Sequence, residues 1–219
     1  MDNPEQTATA SDRRRIRRAF GAGLSFALLL WLVKLVEIAG DFDFSRFGIY
    51  PRLAEGLFGI LLAPFIHGSL AHLFANTAPI IVIGTMLLYG YPRAARVLLP
   101  AVYLGGGFAV WLFAREAYHI GASGIAFGML FFILTIGILR RERRAISLSL
   151  ILFFLYGGMI WGVLPGAREI SFESHLSGAL IGLLLALLLR DHDPEPARKQ
   201  YSWEREDAED DDYDWPGGL

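Results

Sequence analysis

Six apolar runs carry most of this chain, and each is closed by charge, proline or glycine. The first, residues 19–38, follows the basic block Arg13-Arg14-Arg15-Ile16-Arg17-Arg18. The second, residues 69–89, ends at Gly90-Tyr91-Pro92-Arg93 with Arg96 beyond it, and the third covers residues 97–113. The fourth begins at Ser123 and runs into Arg140-Arg141-Glu142-Arg143-Arg144; the fifth and sixth are residues 145–163 and 175–189. Runs of this length and continuity predict transmembrane helices and exclude barrel strands, which alternate. A seventh apolar stretch, residues 57–66, is too short to span; with the aromatics and charges of residues 41–52 it predicts a first loop lying in the outer interface. Arginines crowd every second turn, while the other loops hold only Arg46, Arg52, Arg115 and Arg168. By the positive-inside rule both termini are cytoplasmic.

The expected architecture is therefore an all-α polytopic membrane protein with six transmembrane helices. Residues 1–18 form a polar basic cytoplasmic segment, 19–190 the six-helix domain, and 191–219 an acidic tail read as disordered and cytoplasmic. The first run exceeds the apolar core of a signal peptide and is read as a retained helix. Lys34 and Glu37, three apart near its outer end, read as a snorkelling pair.

Composition agrees: 54% of the 219 residues are hydrophobic and mean hydropathy is +0.42 despite two polar ends. The absence of cysteine removes disulfides, thiolate nucleophiles and thiolate zinc sites. The net charge of −2 hides a split between basic loops and an acidic tail, with no sign of nucleic-acid binding.

Candidate chemistry lies at one depth. From Arg140 back to Ser123 a helix rises about 25 Å, and from Arg190 back to His175 about 22 Å, both short of a hydrocarbon core about 30 Å thick. Serine and histidine thus sit at matching depth, below the outer surface. Gly124 and Gly128 on one helix, and Gly178 and Gly182 on the other, are small-xxx-small pairs that permit close helix contact, and His175 shares the face of its glycines. If those helices meet, Ser123 and His175 come within hydrogen-bond reach, as a nucleophile and its base must. His72 and Asn76, four apart on the second helix, supply donors suited to an oxyanion, with the first amides of the fourth helix beside them. His67 precedes that helix. Glu173 is the nearest candidate for a triad acid but is read as facing the outer loop, which leaves a Ser-His dyad. A Gly-x-Ser-Gly also serves as a plain packing motif. A zinc site from His67, His72, His119 and His175 is disfavoured, because no His-Glu-x-x-His or carboxylate at ligand spacing accompanies them.

Gly121-x-Ser123-Gly124, His67-x4-His72-x3-Asn76 and His175-x2-Gly178-x3-Gly182, in that setting of six spans, resemble the rhomboid intramembrane serine proteases. The resemblance covers residues 38–189. It implies a rhomboid-like bundle in which Ser123 attacks the peptide carbonyl and His175 is base, then acid. His72, Asn76 and the Ser123 amide would stabilise the oxyanion, with His67 and the Gly121 and Gly124 backbone in support. It further implies transmembrane protein substrates, a lipid bilayer as the setting, no metal or organic cofactor, and mobile elements at the fifth helix and the loop after it. Phe127 stands where some members carry a tyrosine packed on the histidine, and the Trp-Arg pair of some first loops is missing, with Arg52 as a possible substitute. The bacterial inner membrane is the expected location. The alternative is a catalytically silent rhomboid-like protein that binds transmembrane helices. Substrate identity and oligomeric state are not legible.

Overall fold

The computed structural model describes residues 4–166 and 170–193, with side chains from residue 11. Arg168 and the tail beyond Asp193 lie outside the described residues. Among the described residues six helices are long and apolar enough to cross a membrane, and the protein is an integral, multi-pass, all-α bundle. The first, α1 (Pro4–Ala39), begins well before the expected residue 19 and runs straight through the arginine block, since alanine and arginine there are good helix formers with nothing to break them. The first loop then folds into single turns and the short α2 (Gly59–Leu62). Next come α3 (Leu70–Gly90), α4 (Pro92–Pro100), α5 (Gly107–Phe113), α6 (Ser123–Arg140), α7 (Arg143–Tyr156) and α8 (Phe172–Leu189).

Two expected helices are altered. The third span begins at Pro92, not residue 97, and is interrupted by a π-helical segment, Ala101–Gly106, that follows Pro100. Such wider turns occur as short insertions within α-helices, and this one ends in the glycines Gly105 and Gly106. The fifth span is α-helical only to Tyr156 and continues as 3-10 turns, Gly157–Val163. Gly157 and Gly158 are poor helix formers at the point of change.

The centre of the bundle is the seam between α6 and α8, where backbone meets backbone. A Cβ placed on Gly178 would lie 2.9 Å from the Gly124 carbonyl carbon, and one on Gly182 would lie 3.0 Å from that of Gly128. No residue but glycine fits either place without moving a helix. Around the seam, Leu73, Leu98, Leu130, Phe132 and Ile133 form a closed apolar core. Helix α7 is held mainly along its first turns, where Ser149 Oγ donates to the Ile133 carbonyl at 2.7 Å and Ala145 and Leu152 are buried; Phe154, farther along, is 81% exposed. Its second half leaves Phe153, Phe154 and Leu155 exposed.

Helix α1 packs on α3 through Gly23 against the Ile81 backbone, the Trp31 indole donating to Thr77 Oγ1 at 3.0 Å, and Trp31 edge-on to Phe74. At the C-terminal end of α1 the structure corrects the snorkelling pair. Lys34 and Glu37 are buried, bonded to each other at 2.8 Å, and covered by the first loop and the segment before α3. A linear sequence shows two charges near a helix end but not the chain that later closes over them.

At the arginine-rich end, both carboxylate oxygens of Asp193 accept the amides of Arg93 and Ala94 at 2.9 Å, capping the start of α4 from a hundred residues away. The first loop is fastened at the opposite end. Arg52, in the left-handed region at φ 62°, donates to the Ala114 carbonyl at 2.8 Å, and Trp111 Nε1 donates to the Leu53 carbonyl.

Candidate active site

Ser123 is the first residue of α6, placed there by a turn that only glycine makes easily. Gly121 has φ 106°, its amide donates to the Ala63 carbonyl at 2.8 Å, and a Cβ on it would press into the His72 ring at 2.9 Å. At such a helix start the first amides have no partner within the helix. His175, one turn into α8, reaches across the glycine seam. Its Nε2 lies 2.8 Å from Ser123 Oγ, and its Nδ1 lies 2.9 Å from the Gly162 carbonyl. A carbonyl can only accept, so Nδ1 carries the proton and Nε2 is a bare lone pair accepting the serine hydroxyl. That is the protonation state a general base requires. The Phe127 ring lies flat on the imidazole, centroids 4.1 Å apart and planes within 5°. A hydrogen bond at each end and a ring on one face leave the histidine little freedom.

Among the described residues no carboxylate is bonded to this histidine. Glu173 turns instead to Arg115, Oε1 lying 3.5 Å from the guanidinium. The polar groups around the start of α8 join a separate chain: the Ser171 hydroxyl meets His119 Nδ1 at 2.6 Å and Ser174 Oγ at 2.7 Å, and His119 Nε2 donates to the Arg115 carbonyl. Burial holds the His119 imidazole below the usual histidine range.

Opposite Ser123 stands the face of α3. Ser69 caps that helix through the His72 amide, and Asn76 Nδ2 gives one hydrogen to the His72 carbonyl at 2.9 Å, keeping its second for another acceptor. His72, Asn76, Ser123, Phe127 and His175 all line one cavity of about 960 Å³, with Met159 and Tyr156 on the α7 side. His67 is different. It is buried outside the cavity wall, its ring edge-on to His72 at 5.0 Å, and neither ring nitrogen has a hydrogen-bond partner, although the Phe65 backbone is beside it. Burial pushes its pKa down to about 4, so it is neutral near pH 7.

Gly128, Gly178 and Gly182 serve the seam, and Gly124 lies against the Ser174 carbonyl. Sequence reasoning missed Gly162. Every residue owns a carbonyl, so nothing marked this one. A glycine there is nevertheless required, because a Cβ would lie 2.8 Å from the Phe127 ring and 3.3 Å from His175 Nδ1. It missed the hold of Lys34 on the His67 carbonyl, 2.8 Å away, for the same reason.

The arrangement can activate a hydroxyl, receive its proton and present donors to an oxygen across a cavity. The Rhomboid domain model matches residues 54–192, which include every one of these cavity-lining groups. The chain is 34% identical over 215 residues to the uncharacterised protein Rv1337 of Mycobacterium tuberculosis, covering 93% of this chain and 88% of that one. It is 36% identical over 188 residues to the uncharacterised protein ML1171 of Mycobacterium leprae, covering 80% and 74%. To RHOMBOID-like protein 2 of Arabidopsis thaliana it is 29% identical over 150 residues, covering 66% and 44%. No solved structure matches. With a family model matched across five of its six spans and all three sequence motifs inside that match, this chain belongs to the rhomboid family.

Proposed function

We propose that this protein is an intramembrane serine endopeptidase that cuts peptide bonds in or next to the transmembrane segments of other membrane proteins. The observation that carries the reading is the Ser123–His175 contact with the histidine locked in the accepting tautomer. In the first half-reaction Ser123 Oγ bonds to the scissile carbonyl carbon while its proton passes to His175 Nε2. The oxygen that becomes negative is met by Asn76 Nδ2, the His72 ring and the Ser123 amide. The carbon–nitrogen bond then breaks, His175 gives its proton to the leaving amine, and an acyl-enzyme is left. Water, deprotonated by the same imidazole, releases the acid and restores the hydroxyl. Gly162 and Phe127 keep the imidazole aimed through both halves.

The cavity beside the exposed outer half of α7 fits a substrate arriving from the bilayer. The arginine-rich end is assigned to the cytoplasm, with both termini there, in a bacterial inner membrane; mycobacterial relatives support that setting.

The test is cleavage of a single-span substrate by the purified protein in liposomes, with Ser123→Ala and His175→Ala alongside and a fluorophosphonate as serine probe. Cleavage by the wild type alone, with labelling of Ser123, supports the reading. Cleavage that survives Ser123→Ala refutes the dyad. Neither cleavage nor labelling would leave a rhomboid that binds helices without cutting them.

A further inference from the structure

A buried charge pair in a membrane helix needs a reason, because two apolar side chains of similar volume at the same places would be at least as stable. For Lys34 and Glu37 the reason lies in what else they hold. The Lys34 ammonium, beyond its bond to Glu37 Oε2, donates to the backbone carbonyl of His67 at 2.8 Å. The other Glu37 oxygen accepts the Phe44 amide at 3.0 Å. One pair on α1 thus ties down both the first loop and the turn that leads into α3.

That turn touches the candidate site directly. The His67 ring rests on the His72 ring at 5.0 Å, and the place where Gly121 would carry a Cβ is 2.9 Å from the His72 ring and 4.0 Å from His67 Nε2. A displaced His67 therefore pushes on His72 and on the Gly121 turn that delivers Ser123. Other restraints on the turn are local and light: Ile66 bonds back to Ala63, Ser69 caps His72, and a Cβ on Gly68 would meet nothing nearer than Ile120 at 3.6 Å. The His67 ring itself is held by contact alone, with no hydrogen bond to either nitrogen.

We infer that Lys34 is a positioning residue: through its bond to the His67 carbonyl, the buried Lys34–Glu37 pair sets the turn that places His72 and Asn76 across from Ser123. The inference rests on the protease reading of that site. Its effect falls on how well the oxyanion is met, so it belongs to kcat and not to substrate binding.

The experiment compares wild type with Lys34→Met/Glu37→Leu, which removes both charges together and leaves neither orphaned. Steady-state cleavage in liposomes, fluorophosphonate labelling and thermal melting are measured on the same preparations. The expected result is a kcat lower by about tenfold to a hundredfold, the scale of a ~1 Å misplacement, with KM little changed. Labelling should slow in parallel and melting should stay close to wild type, while Lys34→Arg, which keeps a charged donor, recovers most of kcat. Trp31→Phe, which loosens α1 from α3 without touching the turn, should lower melting and spare kcat. An unchanged kcat in the double variant overturns the inference, and so does a loss of kcat in Trp31→Phe that tracks its melting as the double variant's does. Should the double variant not fold, two conservative variants decide. Glu37→Gln leaves the Lys34–His67 bond and should hold kcat; Lys34→Gln is too short to reach the carbonyl and should lose it; equal kcat in the two overturns the inference. A wild type that neither cuts nor labels would instead remove the protease reading, and this inference with it.

Discussion

Adding one methyl group at Gly178 should disable the site without touching any of its side chains. In Gly178→Ala the new Cβ would stand 2.9 Å from the Gly124 carbonyl carbon and 3.3 Å from the Gly128 amide nitrogen. Carbon atoms settle at about 3.5–4.0 Å, and neither partner can rotate away because both belong to the backbone of α6, so the two helices must part by about 1 Å. His175 rides on α8 less than one turn from Gly178, and Ser123 rides on α6 beside Gly124. The 2.8 Å contact between them would lengthen by a comparable amount and cease to be a hydrogen bond. A misplacement of that size lowers kcat by about a hundredfold, and overpacking of this kind costs about 1–3 kcal/mol of stability. Gly84→Ala is the control. Its Cβ would meet only the Met129 sulfur at 4.0 Å, so it should keep full activity and melt no lower than wild type. Cleavage and melting are read for both. A Gly178→Ala protein that cuts at the wild-type rate would refute the claim that backbone contact across this seam sets the dyad.

Phe127→Ala should reduce kcat by roughly tenfold while labelling of Ser123 persists more weakly, since a stacked ring contributes about 0.5–1.5 kcal/mol to holding the imidazole; an unchanged rate would show that Gly162 suffices. Acid should destabilise the fold through His67. Its folded pKa near 4 lies below the ordinary value of 6.5, so the unfolded chain takes up the proton first and stability falls as pH drops from about 6.5 towards 4. Melting measured at pH 7 and pH 5 should show a smaller acid shift in His67→Phe than in wild type, with His119 supplying part of what remains; equal shifts would contradict the assignment.

The spans could be read from sequence because each rests on a property that every residue in a run shares, and the four seam glycines because their spacing repeats on two helices. The count of residues back from Arg140 and Arg190 put Ser123 and His175 at one depth. What stayed illegible was carried by backbone atoms. The carbonyls of Gly162 and His67 are chemically the same as those of their neighbours, so no letter in the chain announces that one aims an imidazole and the other accepts a buried ammonium. The change from α-helix to 3-10 turns after Tyr156 was partly signalled by Gly157-Gly158, yet apolar content around them reads equally well as one unbroken span. Lys34 and Glu37 misled for a further reason. Depth was inferred from distance along α1 alone, whereas burial came from Phe44 and His67, which fold back over the pair from elsewhere.

Asp193 marks where a knife could safely fall. Its carboxylate closes the first two amides of α4, and its own carbonyl accepts Arg140 from the last turn of α6, so a single residue beyond the last membrane helix ties together the arginine-rich ends of three of them. A chain severed just before it would leave those amides and that guanidinium to find water instead, loosening the bundle at the face opposite the serine. One severed just after it would keep the whole clasp, and a fluorescent protein or affinity handle joined there would hang from a point the helices have already secured.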